Sequence, residues 1–345
     1  MKKTISLLLV AVMLMALCLT GCGESKKEAE VYEFSLSVHD PASSVKVQYL
    51  QKWADKVAEE TDGQVKITVY DSGTLSSSGD VLDNVKGGSV DIGWLYSAYF
   101  PGQFPLTDVL NLPLQGFVGA NIGTEVLWGL MDEYPALVEE WDDMKLLMVY
   151  ANPGMFFSTN TPIDSVDDLK GLNIRCAAGP ITDVLPGWGA NPVSLPTPDI
   201  YEAMEKKNID GFIFEETGIV DFNLQEVAKY HTDMYSHCGA FALVMNLDKW
   251  NSLPQELKDI IDGISGYEAS MGAAQVFEDA VTAGREKMIA AGCEFVPVSD
   301  DARAEFQVAA DARAAKWAEQ YTTADFDAAA YLARAREIAD AAAGK

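Results

Sequence analysis

One arginine of the chain is placed where it could bind an anion. Arg175 lies near the end of the short apolar run GLNIRC at 171–176. A guanidinium group is permanently charged, and its planar fork matches a carboxylate in two parallel hydrogen bonds. The residues alone leave two interpretations open. Arg175 is either a surface charge paired with Asp167 or Asp168, or the group that holds an anionic ligand.

Two further pairs of ionisable side chains end predicted strands. His39 and Asp40 end the strand VYEFSLSVHD, and Glu215 and Glu216 follow GFIF. If one of the glutamates faces a cleft, its carboxylate can receive an amine, hydroxyl or imidazolium group of a ligand. Otherwise both glutamates are solvated or lie beside a hinge. Asp40 can simply cap the turn that contains Pro41.

The composition indicates a folded and strongly acidic protein. Of 345 residues, 48% are hydrophobic, 52 are Asp or Glu and 25 are Lys or Arg, which gives a formal net charge of −27. This balance argues against nucleic acid as a partner, because phosphate backbones require clustered basic side chains. An anionic ligand would also meet a repulsive field and would require a local cation. The length favours two lobes over one.

No motif in the sequence indicates catalysis. The nucleophile-elbow, zinc-protease, phosphate-loop and dinucleotide patterns are absent, and His39, His231 and His237 have no neighbouring nucleophile. With three histidines in the whole chain and no metal-ligand spacing, nothing favours a zinc site. The sequence therefore predicts a protein that is not an enzyme and that uses no cofactor or metal.

The first residues predict export. A basic MKK precedes a long apolar run that ends in LTGC at 19–22, which resembles the lipobox of bacterial lipoproteins. By that resemblance, residues 1–21 are a lipoprotein signal peptide and Cys22 is the lipidated N-terminus. Residues 22–30 are then a polar tether. The alternative is an ordinary signal peptide with a chance cysteine. The remaining chain is expected to be extracytoplasmic, either in a periplasm or at the outer face of the cytoplasmic membrane.

Three cysteines remain after this region: Cys176, Cys238 and Cys293. Their number is odd and their spacing is wide, without a C-x-x-C pair. One disulfide with a free thiol is an option, and three buried thiols is the interpretation that this pattern favours.

Strand and helix patterns alternate along the rest of the chain, which predicts an α/β fold with parallel strand pairing. One such series fills 31–96, a second starts near residue 150, and the Ala-rich stretch 268–293 is long enough to cross between lobes. The predicted architecture is a two-lobed, periplasmic-binding-protein-like clamshell with a long inter-lobe helix, in which a ligand sits between lobes that close by hinge motion. The predicted lobes are 31–152 plus 241–280 and 153–240 plus 281–345.

Four blocks of sequence carry a resemblance to a known family. They are TDGQVKITVYDSGTL at 61–75, VKGGSVDIGW at 85–94, TPIDSVDDLKGLNIR at 161–175 and GANPVSLPTPDIYEAMEKKNIDG at 189–211. In this order and behind a lipobox, they resemble the DctP-type solute-binding proteins of TRAP transporters. The resemblance covers most of residues 32–250.

The resemblance implies a function and a role for Arg175. Members of the family capture a small organic acid outside the membrane and deliver it to a small and a large membrane permease subunit, without chemistry on the ligand. The arginine at the position of Arg175 forms the main salt bridge to the ligand carboxylate. His39 and Asp40 stand where family members often contact the ligand.

Several positions depart from the family's pattern. Many members carry a second arginine a short distance before the first, where this chain has Met155 or Phe156. The polar residues that usually follow DG are replaced by Phe212 and Phe214. Strand alternation places these two phenylalanines on one face together with Asp210.

The other predicted lobe supplies more aromatic side chains. Trp94, Tyr96 and Tyr99 stand where its third strand opens towards the cleft. Each of these aromatic side chains can instead be an ordinary core residue. If the face that carries Phe212 and Phe214 is the cleft, the cleft has one cation and aromatic walls. A second charged end of a ligand would then lack a partner, and burying that end unpaired costs several kcal/mol. The sequence therefore predicts a monocarboxylate with an aromatic or apolar body. The alternative is a C4-dicarboxylate or sugar acid, which are the better-known ligands of the family.

Overall fold

The structure, a computed structural model, describes residues 30–345. The predicted signal peptide, the lipidation site Cys22 and all but the last residue of the predicted tether lie outside the described residues. The strands of the described part are β1 (Tyr32–Ser37), β2 (Val65–Tyr70), β3 (Ile92–Tyr96), β4 (Met144–Ala151), β5 (Phe156–Thr159), β6 (Asn173–Cys176), β7 (Asn191–Ser194), β8 (Gly211–Phe214), β9 (Tyr230–Asp233), β10 (Ala240–Asn246) and β11 (Glu294–Pro297). Its α-helices are α1 (Val45–Glu60), α2 (Val81–Lys86), α3 (Ala120–Glu133), α4 (Pro135–Glu139), α5 (Pro180–Val184), α6 (Ile200–Glu205), α7 (Glu216–Asp221), α8 (Leu247–Ser252), α9 (Gln255–Gly263), α10 (Gly266–Ala290), α11 (Asp300–Tyr321) and α12 (Ala328–Ala342).

The first sheet has the strand order β2-β1-β3-β10-β4. β1 pairs in parallel with β2 and β3, whereas β10 runs antiparallel between β3 and β4. Helix α1 packs on this sheet and buries the apolar stripe that its sequence shows, together with one charged residue, Lys46. Ser44 begins the helix by accepting a hydrogen bond from the backbone N–H of Lys46. We refer to this sheet and the helices packed on it as lobe 1.

The second sheet has the strand order β11-β9-β5-β8-β6-β7. Next to its edge strand β7, β6 pairs in parallel with β7 and β8, so that Arg175 lies between Val193 and Phe212. We refer to this sheet and its helices as lobe 2. The two-lobed α/β architecture predicted from the sequence is confirmed.

Two extended segments, 152–155 and 234–239, carry the chain between the lobes and lie side by side. The backbone N–H of Met155 donates to the carbonyl of His237 at 2.7 Å, and the N–H of Ser236 donates to the carbonyl of Met155 at 2.7 Å. Nearer lobe 1, the N–H of Gly239 donates to the side chain of Asn152. We refer to 152–155 and 234–239 as the crossing segments.

The long helix α10 also joins the lobes. Near its start, Ser270 Oγ accepts a hydrogen bond from the backbone N–H of Val149 in lobe 1. Near its end, a Cβ on Gly284 would lie 3.1 Å from Cβ of Glu216 in lobe 2. This close approach explains a glycine inside a helix, where it costs roughly 1 kcal/mol relative to alanine. A helix of 25 residues spans about 37 Å at 1.5 Å per residue, enough to contact both lobes.

The C-terminal helices return to lobe 1. Phe306 of α11 packs against Trp188 in lobe 2, whereas Trp317 of the same helix donates to the carbonyl of Pro105 in lobe 1. Tyr331 of α12 donates to the carbonyl of Leu106, also in lobe 1. The sequence-based division assigned all of 281–345 to lobe 2, and the packing of these helices differs from it. Alanine-rich helices carry little pattern that would show which sheet they cover.

No helix within the described range combines the length and the apolar character that crossing a membrane requires. Cys176, Cys238 and Cys293 are buried free thiols, which agrees with the interpretation that their number and spacing favoured.

A buried carboxyl group stabilises the region beneath β3. Asp108 accepts hydrogen bonds on Oδ1 from Ser97 Oγ at 2.8 Å and from Asn111 Nδ2 at 3.1 Å. Burial raises the pKa of Asp108 to about 7, although these two hydrogen bonds oppose the rise. Because the folded pKa lies above the unfolded one, the proton bound by Asp108 stabilises the fold fully below roughly pH 4, and this contribution is lost as the pH rises through 7.

We expect Asp108→Asn to remove this pH dependence, since an amide oxygen can still accept from Ser97 and does not ionise. Relative to wild type, the variant should gain roughly 1.4 kcal/mol of unfolding free energy per pH unit between about pH 4 and pH 7, and the difference should level off above pH 7. Urea denaturation between pH 5 and pH 9 measures this difference. Asp143→Asn, at an exposed acid, is the matched control and should follow the wild-type curve. Parallel curves for wild type and Asp108→Asn would contradict the assignment.

Candidate ligand-binding site

A cavity lies between the lobes, at the carboxyl ends of β1, β3, β6 and β8, where ligand sites of α/β sheets are expected. We call it the interlobe cavity. Its lining residues are His39, Asp40, Lys46, Tyr96, Tyr99, Asn152, Met155, Arg175, Cys176, Ala177, Thr197, Ile213, Phe214, Glu215, His237 and Phe241. The volume of this cavity is only about 20 Å³. The cavity is therefore narrow, and its walls nearly meet.

Arg175 reaches this cavity from the end of β6. Its Nε donates to the carbonyl of Leu195 at 2.9 Å, and its Nη2 lies 3.2 Å from Tyr99 Oη and 3.3 Å from Thr197 Oγ1. Tyr99 and Thr197 are themselves hydrogen-bonded at 2.7 Å. Tyr99 belongs to lobe 1 and the other partners to lobe 2, so this network spans the two lobes.

The guanidinium of Arg175 is buried without an acidic partner. The residue is 2% exposed, and no carboxylate of the described residues forms a salt bridge with it. Asp167 pairs with Lys170, and Asp168 accepts from Ser165, so the interpretation of Arg175 as a paired surface charge is wrong. A buried charge without a counter-charge is costly, and a ligand carboxylate would offset that cost.

Aromatic rings form much of the cavity wall. Tyr96, Tyr99 and Phe241 line it from lobe 1, and Phe214 lines it from lobe 2. The Phe214 ring lies 5.7 Å from Arg175 Cζ, within the range of a cation–π interaction. These faces suit a flat apolar ligand body beside the guanidinium.

Trp94 supports the cavity from beneath and is not among its lining residues. Its ring stacks on His39 at 4.8 Å and on Phe241 at 4.5 Å, and its Nε1 donates to Tyr150 Oη at 2.7 Å. Because the Trp94 ring stacks against both lining rings, it fixes the orientation of His39 and Phe241.

Of the candidates on the neighbouring strands of lobe 2, Met155 and Phe214 line the cavity, whereas Phe156 and Phe212 do not. The last two lie in a separate core cluster with Ile219 and other apolar side chains. Phe214 is the last residue of β8, where the sheet opens to the cavity, and Phe212 lies one pleat earlier beneath the helices. Alternation correctly separates the two faces of a strand, but it does not show where along a face the cavity begins.

His39, Asp40 and Glu215 meet around a buried lysine. Lys46 forms an ion pair with Asp40 and a second one with Asp221 of lobe 2 at 3.3 Å. Burial by itself lowers the pKa of Lys46, but the surrounding carboxylates, Asp40 first among them, raise it above its ordinary value. Lys46 is therefore charged and already engaged by two carboxylates.

The two remaining ionisable groups of this cluster are shifted towards their neutral forms. Burial lowers the pKa of His39, and although Asp40 opposes that shift, Lys46 reinforces it. Burial raises the pKa of Glu215, and Lys46 opposes the rise. The cavity thus contains two charged features. One is a guanidinium that lacks a counter-charge, and the other is a cluster in which several acids surround one lysine.

Sequence reasoning missed four polar lining residues: Lys46, Asn152, Thr197 and His237. Lys46 adjoins the apolar stripe of α1, and a charged residue on the buried side of a helix is a signal that could have been read. Asn152 and His237 lie in the crossing segments, which have no periodic pattern. Burial lowers the pKa of His237 to about 3, so this residue adds no charge to the cavity.

No group of three or more His, Cys, Asp or Glu side chains suited to hold a metal ion occurs among residues 30–345. The chemistry that the lining residues offer is binding: one guanidinium, several aromatic faces and a small set of neutral or paired polar groups.

Comparisons with known proteins agree on one family. The family model for bacterial extracellular solute-binding proteins, family 7 (DctP), matches residues 36–320. A protein of Comamonas testosteroni described as the outer membrane transporter protein TsaT is 27% identical over 287 residues, covering 81% of this chain and 83% of the relative.

Two solved structures are similar over nearly their whole length. One is a TRAP solute-binding protein of Rhodoferax ferrireducens T118 in complex with copurified benzoate, with a TM-score of 0.85 and 26% identity, covering 91% of this chain and 99% of that one. The other is a TRAP solute-binding protein of an unidentified marine microbe, specific for aromatic acid ligands and in complex with 3-hydroxybenzoate. Its TM-score is 0.85 at 26% identity, covering 90% of this chain and 99% of that one.

Proposed function

Since the chain belongs to the bacterial extracellular solute-binding proteins of family 7 (DctP), we propose that it captures a monocarboxylic acid with an aromatic or apolar body for a TRAP transporter. The acid binds in the interlobe cavity through a salt bridge to Arg175 and is delivered to the small and large permease subunits in the membrane. The observation that carries the proposal is a buried guanidinium without an acidic partner in a cavity walled by aromatic rings.

The carboxylate of the ligand takes the place that a protein acid would otherwise fill. Nε and Nη2 of Arg175 already donate to Leu195, Tyr99 and Thr197, which fixes the plane of the guanidinium. A fixed plane favours bidentate pairing, because less side-chain entropy is lost on binding.

A single carboxylate suits the charges of the cavity better than two. Two cations from residues 30–345 line it. Lys46 forms ion pairs with Asp40 and Asp221, whereas Arg175 forms no ion pair with a carboxylate of the described residues. A C4-dicarboxylate or a sugar acid with a second charged end would have to draw Lys46 away from both acids. The alternative therefore requires Lys46 to leave its two acids, which an aromatic monocarboxylate does not require.

The expected cellular location follows from the family and from the sequence of the N-terminus. Lipidation at Cys22 would hold the lobes at the outer face of the membrane in which the permease lies; this part of the proposal rests on the LTGC motif alone. Fractionation of cells that express the full chain would show whether it is membrane-associated.

A thermal-shift panel tests the ligand class. We expect benzoate, hydroxybenzoates, phenylacetate and branched-chain acids to include the strongest hits, and malate, succinate and glucuronate to give little or no shift. A ligand at 100 times its Kd adds about 2.7 kcal/mol to the unfolding free energy. Tight binding of malate or a sugar acid, with no shift from any aryl or branched-chain acid, would refute the proposal.

A further inference from the structure

Glu215 is placed at the cavity by the geometry of the strand that precedes it. The residue follows β8 directly in extended conformation and begins α7, so it stands where the sheet of lobe 2 faces lobe 1. It is 1% exposed and lines the interlobe cavity next to Phe214. This position puts a carboxyl group in the cavity that also contains Arg175.

One oxygen of this carboxyl group has no hydrogen-bond partner within residues 30–345. Glu215 Oε1 accepts from Thr217 Oγ1 at 3.3 Å, whereas Oε2 is buried without a hydrogen bond to any described residue. His39, which lines the same cavity, has a buried Nδ1 that likewise lacks a partner. Buried polar atoms are nearly always hydrogen-bonded. Two unsatisfied atoms that line a ligand cavity therefore indicate that the ligand supplies their hydrogen-bond partners.

We propose that Glu215 and His39 form a second polar subsite of the interlobe cavity, and that this subsite binds a hydroxyl group of the ligand. The ligand class is then a hydroxylated aromatic or apolar monocarboxylate. This inference rests on the proposed function, because Arg175 must hold the carboxylate for the hydroxyl to be placed.

A hydroxyl fits these two groups better than the other polar groups of small acids. It donates one hydrogen bond and accepts others, so it can pair with Glu215 in either protonation state and with either tautomer of His39. A second carboxylate would be repelled by Asp40 and Asp221, which surround the one nearby cation. An unsubstituted ring would leave Glu215 and His39 unsatisfied.

Calorimetric titration of a matched ligand series tests the subsite in the wild-type protein. The series is benzoate, its 2-, 3- and 4-hydroxy derivatives, and the corresponding (aminomethyl)benzoates, which carry an ammonium group. We expect at least one hydroxybenzoate to bind about 10- to 100-fold more tightly than benzoate, the ratio that satisfying a buried and otherwise unpaired polar group supplies. Glu215→Ala should reduce that ratio to about one.

Two further variants separate a direct contact from a structural effect. Glu215→Gln retains the shape and can still pair with a hydroxyl, so its preference should be intermediate, and it serves if Glu215→Ala fails to fold. Glu216→Gln is the matched control, because this buried neighbour accepts from Tyr235 and does not line the cavity; it should retain the wild-type ratio.

The outcomes distinguish this inference from the function on which it rests. If benzoate binds and no hydroxybenzoate binds more tightly, or if the preference survives in both Glu215 variants, the subsite is overturned and the proposed function stands. A preference for an ammonium derivative over its hydroxyl counterpart also overturns the hydroxyl assignment. If no acid of the series binds, the subsite is overturned, and the thermal-shift panel decides the proposed function separately.

Discussion

Arg175→Met should weaken the binding of aromatic carboxylates by at least about 30-fold and leave the protein folded. Removing one partner of a buried, hydrogen-bonded charge pair costs about 2–5 kcal/mol, which corresponds to a loss of affinity of roughly 30-fold to several thousand-fold. Met fills a similar volume without a charge. The unliganded protein should lose no more than about 1 kcal/mol, because the hydrogen bonds to Leu195, Tyr99 and Thr197 are offset by removal of an unpaired buried charge.

Titration calorimetry gives the affinity and urea denaturation gives the stability. Arg334→Met is a matched control, since Arg334 pairs with Glu133 on the surface, far from the cavity residues. If Arg175→Met binds benzoate or its derivatives as tightly as wild type, Arg175 is not the group that holds the carboxylate. If it unfolds, the guanidinium has a structural role that outweighs the cost of its burial.

Lys46→Met should destabilise the unliganded protein by about 3–5 kcal/mol, the usual cost of removing one partner of a buried ion pair. The substitution leaves the buried Asp40 and the half-buried Asp221 without their cation. Asp40 belongs to lobe 1 and Asp221 to lobe 2, so the loss also weakens the contact between the lobes.

A double variant identifies the cause of this loss. Asp40→Asn in the Lys46→Met background removes one orphaned charge and should recover a substantial part of the stability, which a simple packing defect would not allow. Lys52→Met, at an exposed position of the same helix, is the control and should change the unfolding free energy by less than about 0.5 kcal/mol. A loss below about 1 kcal/mol in Lys46→Met would show that the buried network contributes little.

The sequence predicted the fold and the location of Arg175 because both depend on local patterns. Apolar stripes such as Val47, Leu50 and Trp53 follow helical spacing. The alternation of strands with helices predicts parallel sheets, which bind ligands at the carboxyl ends of their strands. The family resemblance then singled out Arg175, and its burial without an acid is a property that only the folded chain shows.

The remainder of the cavity depends on which side chains meet across the lobes. Phe212 and Phe214 are equivalent by alternation, yet only the one at the strand end lines the cavity. Trp94 was expected in the wall and lies one layer beneath it. Lys46 was overlooked because a lysine near an apolar stripe usually extends to solvent, whereas here Asp221, from a distant part of the chain, completes its burial.

The crossing segments have a consequence for how this protein can change its ligand in evolution. They contribute Asn152, Met155 and His237 to the cavity, and the same stretches hold the backbone pairing that joins the lobes. A substitution at these three positions therefore changes the cavity wall and the segments that join the lobes at the same place. New specificities are therefore most accessible through side chains such as Phe214 and Glu215, which stand on one lobe and leave the joint intact.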